Sequence, residues 1–226
     1  MKPEPIITID GPSGSGKGTV SRVVARTLGW ELLDSGALYR LVALSARQSG
    51  VALDDQERLA SLALDLDIRF AADAAGEESI WLGGLDVTHL IRTETAGSDA
   101  SRVAALGPVR AALLDRQRRF ACPRGLVADG RDMGTVVFPA APVKFFLTAS
   151  ADERAARRHK QLKEKGVAAN LAALSLEIAE RDRRDMNRAI APLVASPDAI
   201  PLDTTGMPIE AVVARVLGVA RERLQI

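Results

Sequence analysis

Residues 11–19 read Gly-Pro-Ser-Gly-Ser-Gly-Lys-Gly-Thr and fit the pattern G-x-x-x-x-G-K. This pattern forms a phosphate-cradling loop when a buried strand precedes it and a helix follows it. The apolar, isoleucine-rich run at 6–9 predicts the strand, and apolar residues recur at helical spacing over 19–28. Gly29 predicts the end of the helix. The segment therefore predicts a strand, a glycine-rich loop and a helix whose N-terminus binds polyphosphate.

The residue types of this loop suit a bound triphosphate. Glycine allows sharp turns and a close backbone approach that a Cβ would block, and Lys17 can reach the outer phosphates of a nucleoside triphosphate. Gly18 stands where Ser or Thr usually holds the magnesium ion. We therefore expect the next residue, Thr19, to hold the metal either directly or through a water molecule. The candidate triphosphate-binding residues are Gly11, Pro12, Ser13, Gly14, Ser15, Gly16, Lys17, Gly18 and Thr19.

The charge balance argues against two classes of partner. The chain has 30 Lys and Arg residues and 29 Asp and Glu residues, so its net charge of +1 gives no support for bulk binding of nucleic acid. Residues 133–151 are nearly uncharged, but Lys144, Pro139 and Pro142 interrupt them, and a membrane-spanning helix needs about 20 apolar residues. We expect neither nucleic acid nor a membrane as a partner.

Cysteine usage and the N-terminus bear on the compartment. Cys122 is the only cysteine, so an internal disulfide is impossible, which fits a reducing environment. The N-terminal apolar run is too short for a signal peptide and meets Asp10 at once. We therefore expect a cytoplasmic protein with one sizeable core. No long apolar stripe stands out in the sequence, and we expect a monomer.

Short apolar runs that alternate with helical patterns predict a parallel α/β sheet with helices on both faces. Ligands of such sheets bind at the carboxyl ends of the strands, where Asp10, Asp34, Asp129 and Asp203 fall in this sequence. Residues 63–91 instead predict a small antiparallel insertion with a glycine hairpin. The predicted parallel strands are 6–9, 31–33, 125–128, 143–147 and 199–202, and further helices are predicted over 103–120, 151–165 and 171–188.

Two further blocks contain arginines suited to phosphate. Residues 129–135, Asp-Gly-Arg-Asp-Met-Gly-Thr, place Arg131 between two acids at a predicted strand end. Its planar guanidinium matches phosphate oxygens, although an Arg–Asp ion pair that braces a turn is the structural alternative. Arg181, Asp185 and Arg188 have the spacing of one helix face. Phosphoryl transfer between nucleotides gathers negative charge, so arginines from several segments favour that reaction.

These motifs together resemble the bacterial cytidylate kinases, which are nucleoside monophosphate kinases. The matching stretches are 8–14, 33–40, 129–135 and 181–188, and the resemblance extends over essentially the whole chain. It implies transfer of the γ-phosphoryl group of ATP to CMP or dCMP, with Mg²⁺, in pyrimidine nucleotide metabolism. It also implies a fold of the P-loop NTPase type, with a five-stranded parallel sheet, the antiparallel insertion and a short helical lid.

The resemblance further implies that one kinase domain, residues 1–226, has three moving parts. These are a core, a region that binds the monophosphate and contains the insertion, and a lid over ATP. The expected bounds are 1–34, 111–150 and 189–226 for the core, 35–110 for the monophosphate-binding region with its insertion at about 63–91, and about 151–168 for the lid.

The family's functional residues carry over by motif position. Lys17 resembles the residue on the transferring phosphate, and Arg157 resembles the lid arginine that covers ATP. Arg131, Arg181 and Arg188 complete the set of catalytic candidates. The residues that resemble CMP contacts are Ser35, Tyr39, Arg40 and Arg131 at the phosphate and sugar, Ser101, Arg110, Asp132 and Arg188 at the cytosine, and Arg181 and Asp185 near the ribose and phosphate.

No side chain is an obvious general base. Asp132 is a candidate proton acceptor, but a CMP phosphate oxygen is already a nucleophile at neutral pH, which favours positional and electrostatic catalysis. Three other functions compete with this interpretation. They are a kinase for UMP, dTMP or shikimate, a nucleotide switch protein, whose Asn-Lys-x-Asp motif the sequence lacks, and a nucleic-acid-associated ATPase, which the balanced charge disfavours.

Overall fold

The structure is a computed structural model that describes residues 4–72, 78–164 and 166–226. A five-stranded parallel sheet and a three-stranded antiparallel sheet confirm the predicted α/β class with its small insertion. The strands are β1 (Ile6–Asp10), β2 (Glu31–Asp34), β3 (Ile68–Ala72), β4 (Glu78–Leu82), β5 (Leu85–Asp86), β6 (Leu126–Gly130), β7 (Val143–Thr148) and β8 (Ile200–Asp203). Their orders are β2-β6-β1-β7-β8 in the parallel sheet and β3-β4-β5 in the antiparallel sheet.

Eight α-helices lie among the described residues, with a short 3-10 helix (Leu90–Arg92) and a π-helical turn (Met133–Val137). None of the described helices combines the length and the hydropathy that a membrane crossing requires. The α-helices are α1 (Lys17–Leu28), α2 (Ser35–Gln48), α3 (Gln56–Leu64), α4 (Glu94–Val103), α5 (Gly107–Arg118), α6 (Ala151–Glu164), α7 (Leu171–Met186) and α8 (Ile209–Leu224).

Two predicted helix boundaries are wrong. The helix predicted over 103–120 is α5, which begins later, at Gly107, because Pro108 lacks an N–H and suits only the first turn of a helix. Val103 is instead the last residue of α4. The helix predicted to reach Arg188 ends at Met186, where Asn187 donates through its side-chain amide to the carbonyl of Arg183. Arg188 therefore lies beyond the helix face on which the spacing had placed it.

The chain divides into two compact units, residues 1–34 with 117–226, and residues 35–116. The first contains the parallel sheet with α1, α6, α7 and α8, and the second contains the antiparallel sheet with α2, α3, α4 and most of α5. The predicted three-part division and the lid stay predictions. Residues 73–77 of the predicted insertion and Lys165 of the predicted lid lie outside the described residues.

The central strand β1 explains how the first unit presents its loop. Side chains alternate along a strand, so Ile7 and Ile9 share one face, where α1 and α8 pack over them in the hydrophobic core. Thr8 and Asp10 point to the opposite face, where Gly134 of the π-helical turn comes so close that a Cβ would stand 2.9 Å from Thr8 Oγ1. This arrangement holds the carboxyl end of β1, and the loop that follows it, between two packed layers.

Candidate active site

The glycine-rich loop has the backbone that its sequence predicts. Gly16 forms the N-cap of α1 with φ 90°, and Gly29 ends the helix in the left-handed conformation, as predicted. A Cβ on Gly11 would overlap the carbonyl oxygen of Leu147 in β7, so the loop can start where it does only without a side chain. The loop therefore leaves β1 close to the sheet and delivers Lys17 at the first position of α1.

Gly14 gives a testable case of this requirement. Its φ is 78°, and a Cβ there would stand 2.9 Å from Arg154 Cβ. We expect Gly14→Ala to lower the free energy of unfolding by about 1–2 kcal/mol from backbone strain alone, with a further loss from the contact. The matched control is Gly29→Ala, whose φ of 67° is similar but whose Cβ would meet no atom within 4 Å. Equal losses in urea unfolding would show that the Arg154 contact costs nothing.

Lys17 lies in a setting that opposes its own charge. Its ammonium donates a hydrogen bond to the carbonyl oxygen of Pro12 at 3.1 Å. Burial, together with the positive charges of Arg131 and Arg181, lowers the pKa of Lys17 to about 7, while Asp129 acts in the opposite direction. The N-terminus of α1 adds the positive end of the helix dipole. Cations gathered at this point create a strong local preference for an anion.

Asp10 joins the end of β1 to the block at 129–135. Its two carboxylate oxygens each accept a backbone hydrogen bond at 2.8 Å, one from the N–H of Met133 and the other from that of Gly134. Burial raises the pKa of Asp10 to about 7 and outweighs these two bonds, which act to lower it. The sequence marked Asp10 only as a strand-end aspartate. In the structure, it fixes the turn that directly follows Arg131 and Asp132.

Asp129 explains why the loop departs from the usual motif at Gly18. A Cβ on Gly18 would stand 3.1 Å from Asp129 Oδ2, so the carboxylate lies beside the position that Ser or Thr usually occupies. Burial raises the pKa of Asp129 to about 6, and the charge of Lys17 opposes that rise. The sequence marked Asp129 only as a strand-end acid, and the space between it and Gly18 could not be predicted from local pattern.

The predicted arginine cluster assembles within the first unit. Arg131 Nε donates to Asp185 Oδ2 of α7 at 2.9 Å, and both side chains are largely buried. Although burial opposes ionisation, the charges of Arg131, Arg181 and Arg188 hold the pKa of Asp185 below its usual value. Arg188 also donates to the carbonyl oxygen of Ala191 at 2.6 Å, which places its guanidinium although it lies outside α7. The four residues thus lie within one electrostatic network.

The lowered pKa of Asp185 predicts how stability depends on pH. Its carboxylate stabilises the fold at every pH above its unfolded pKa of about 3.9, and that contribution is lost as the pH falls through the lower folded pKa. We expect Asp185→Asn to lower the free energy of unfolding by about 2 kcal/mol at pH 7, and by much less below pH 3.5. Urea unfolding at pH 7, 5 and 3 measures this. The control is the exposed Asp54→Asn, and a difference that grows as the pH falls to 3 would contradict the prediction.

Two arginines of α6 contact the glycine-rich loop. Arg154 Nη1 donates to the carbonyl oxygen of Ser13 at 3.1 Å and pairs with Asp182 Oδ2 of α7 at 2.6 Å. Arg157, the predicted ATP-covering residue, lies with Nη1 3.4 Å from the carbonyl oxygen of Ser15. Arg154 was missed as a loop contact because its sequence signal is that of a charged helix surface. Arg181 approaches the same loop, with Nη1 3.4 Å from Ser13 Oγ.

The remaining candidates lie in the second unit. Tyr39 on α2 and Arg110 on α5 come together, with the guanidinium carbon of Arg110 5.7 Å from the centre of the Tyr39 ring. Arg110 Nη1 donates to the carbonyl oxygen of Ala104 just after α4, the helix on which the buried Ser101 lies. Arg40 Nη1 donates to the carbonyl oxygen of Ile91 at 2.9 Å. The first residue of α2, Ser35, is likewise buried.

Known proteins give the same assignment over nearly the whole chain. The family model for cytidylate kinase matches residues 7–222. A cytidylate kinase from Azotobacter vinelandii is 60% identical over 213 residues, which cover 94% of this chain and 93% of that protein. A cytidylate kinase from Stutzerimonas stutzeri is 58% identical over 224 residues, or 99% of this chain and 98% of that protein.

Among solved structures, an uncharacterized protein from Eubacterium ventriosum shares the fold with a TM-score of 0.50 at 12% identity, over 97% of this chain and 100% of that one. That likeness concerns the fold alone. The chain belongs to the cytidylate kinase family.

Proposed function

We propose that this protein transfers the γ-phosphoryl group of ATP to CMP or dCMP and releases ADP and CDP or dCDP. One observation carries the proposal beyond family membership, namely the gathering of Lys17, Arg131 and Arg181 around the end of β1. The three positive charges repel one another in the free protein, and anionic phosphates bound between them would compensate that repulsion. Transfer between two nucleotides supplies such phosphates on both sides of the reacting bond.

The ATP phosphates would bind to the loop formed by residues 11–19. Its backbone N–H groups lie at the N-terminus of α1, which favours negative charge. Lys17 would hold the transferring phosphoryl group, and Arg157 would cover ATP from α6. The contacts of Arg157 and Arg154 with carbonyl oxygens of the same loop support this assignment, because they place both cations beside it.

The CMP phosphate would bind to Arg131, with Arg181 and Arg188 neutralising the charge that develops during transfer. Asp185 keeps the Arg131 guanidinium in place through its hydrogen bond at 2.9 Å, and we propose that it also accepts ribose hydroxyl groups. Asp132 would read the cytosine. For the second unit, we propose that Ser35, Tyr39 and Arg40 contact the phosphate and sugar, and that Ser101 and Arg110, with Arg188, contact the base.

A magnesium ion suits the residues near the loop. Mg²⁺ prefers oxygen ligands, keeps several waters, and is bound through one or two protein groups together with substrate phosphates. The described residues contain no group of three His, Cys, Asp or Glu side chains placed to hold a metal. Substrate phosphates and water molecules would therefore supply most of the ligands of the ion. Thr19 and the carboxylate of Asp129 beside Gly18 are the residues that would hold the ion, directly or through water. When bound, the ion neutralises charge on the phosphates.

Catalysis in this proposal is positional and electrostatic. Ionised CMP attacks through a phosphate oxygen, so no side chain has to remove a proton before the reaction. The chain's own residues bind the two phosphates in line, orient them and stabilise the charge of the transition state. Asp132 stays the candidate proton acceptor if one is needed. A monomeric state, a cytoplasmic location and the lack of a nucleic-acid partner also stay predictions.

An acceptor panel tests the proposal. ADP release from MgATP is measured in a coupled assay with CMP, dCMP, UMP, AMP, dTMP, shikimate or no acceptor. Turnover with CMP and dCMP alone is the expected result. Turnover with a different acceptor would keep the kinase reaction but refute the base-reading roles of Ser101, Arg110, Asp132 and Arg188. ADP release that needs no acceptor would favour the nucleotide switch or an ATPase instead.

A further inference from the structure

Thr204 stands at a junction between the glycine-rich loop and α6, within the first unit. It directly follows β8 and is 2% exposed. Its neighbour Thr205 is exposed and turns toward Asp203, whose carboxylate Oδ1 accepts from both the backbone N–H and the hydroxyl of Thr205. In the sequence, the Asp-Thr-Thr segment resembles an ordinary surface turn. In the structure, the side chain of Thr204 faces inward.

Three groups meet at the Thr204 side chain. Its Oγ1 lies within hydrogen-bond distance of two carbonyl oxygens, that of Ser15 in the loop at 3.0 Å and that of Thr148 at the end of β7 at 2.9 Å. The single hydroxyl proton can be donated to either carbonyl. The oxygen also accepts from Arg157 Nη1 at 3.1 Å. One hydroxyl therefore connects the sheet, the phosphate loop and α6.

Arg157 donates hydrogen bonds to two atoms of Thr204. Its Nη2 donates to the backbone carbonyl oxygen of Thr204 at 2.6 Å while Nη1 donates to the hydroxyl. Glu153, one turn earlier on α6, accepts from Nε at 2.8 Å and orients the other edge of the guanidinium. Nη1 thereby lies 3.6 Å from where a Cβ of Gly16 would stand, at the N-terminus of α1.

A cation at that point is unfavourable for the fold alone, because the N-terminus of a helix carries partial positive charge. Its placement makes physical sense when an anion is bound in the loop. We propose that Thr204 is a positioning residue for ATP, which acts by setting the Arg157 guanidinium beside the carbonyl of Ser15. This inference rests on the proposed role of Arg157 in covering ATP.

Thr204→Val tests the hydroxyl, because valine keeps the shape and removes only the polar atom. We expect the KM for MgATP to rise about tenfold, since one hydrogen bond to a charged group is lost, while kcat and the KM for CMP stay within twofold. Arg157 keeps its bond to the Thr204 carbonyl, so we expect the larger rise, about 30-fold, in Arg157→Met. Thr204→Ser should restore the wild-type KM. Thr27→Val, whose exposed hydroxyl donates to the carbonyl oxygen of Val23 within α1, is the matched control.

The double variant Thr204→Val with Arg157→Met separates positioning from a general structural role. If Thr204 acts through Arg157, the double variant has the same KM as Arg157→Met. Effects that multiply would refute the proposal, as would a Thr204→Val KM within twofold of wild type or a Thr204→Ser variant as impaired as Thr204→Val. A KM within twofold in Arg157→Met would refute the roles of both residues. Thermal unfolding of each variant shows whether the fold is retained.

Calorimetric measurement of the binding of an unreactive ATP analogue makes the test independent of CMP turnover. We expect the same order of dissociation constants as of KM values across the variants. If the wild type binds the analogue but does not phosphorylate CMP, the proposed function fails while the binding data still decide the role of Thr204. If the analogue binds equally to wild type and Thr204→Val, the positioning role fails whatever the acceptor panel shows.

Discussion

Lys17→Met is expected to lower kcat about 1,000-fold, which corresponds to about 4 kcal/mol of lost transition-state stabilisation. The ammonium lies at the first position of α1 and is the only lysine of the loop. Its pKa of about 7 means that burial opposes its charge in the free protein. Replacing it with an apolar side chain of similar length should therefore leave stability unchanged or slightly raised. Loss of activity without loss of stability would separate catalysis from folding.

Steady-state kinetics with CMP and MgATP, together with urea unfolding, measure both effects. Arg26→Met is the matched control, because it removes an exposed cation from the last turn of the same helix and should leave kcat unchanged. Lys17→Arg keeps a charge but not the reach of the ammonium, and we expect it to recover only part of the rate. A Lys17→Met variant with more than a tenth of the wild-type kcat would show that the lysine does not stabilise the transition state.

The parts of this fold that could be predicted are those with a local signal. The five parallel strands follow short apolar runs in the sequence, although the edge strands β2 and β8 are partly exposed where the pattern predicted buried strands. The structure extends the predicted strand 6–9 by one residue, to Asp10. The phosphate loop is a local motif in which Gly11 and Gly16 have the backbone that their residue type permits. Gly29 ended α1 as expected. In each case, neighbouring residues alone determine the outcome, so the sequence pattern is sufficient.

The contacts that were missed join distant segments. Asp10 accepts hydrogen bonds from residues 123 and 124 positions away, and Thr204 reaches Ser15 across 189 positions. Such pairings depend on the order of the strands in the sheet, and strand order produces no repeating pattern of residues that could be detected in the sequence. The misplaced end of α7 has a different cause, because a single capping residue, Asn187, overrode a helical spacing that continued to Arg188.

The family resemblance supplied roles that the chemistry of single residues could not. Arg131 illustrates the difference, because the sequence left open whether it serves an ion pair or a phosphate. The structure shows an ion pair, but its acid is Asp185 of the distant helix α7 and not a neighbour within the same turn. That pair does not exclude phosphate binding, since a guanidinium has five N–H donors and Asp185 engages it through Nε. Nη1 also contacts the carbonyl oxygen of Gly130, and we propose that the guanidinium presents its remaining N–H groups to the substrate phosphate.

Arg131→Ala is expected to lower kcat/KM for CMP at least 100-fold, a loss of about 3 kcal/mol of transition-state stabilisation. The substitution also leaves the buried carboxylate of Asp185 without its 2.9 Å partner, so some stability is lost as well. Arg131→Ala combined with Asp185→Asn separates the two effects, because it removes both charges. We expect the double variant to regain stability relative to Arg131→Ala but to remain as inactive.

Arg183→Ala is the matched control for this experiment. Arg183 lies on the exposed surface of α7, where its side chain is 70% exposed and pairs with Glu180, and exposed pairs of this kind contribute little. Its loss should change kcat/KM less than twofold. A change under threefold in Arg131→Ala would refute the proposed phosphate contact. Recovery of activity in the double variant would show instead that Arg131 serves only to neutralise Asp185.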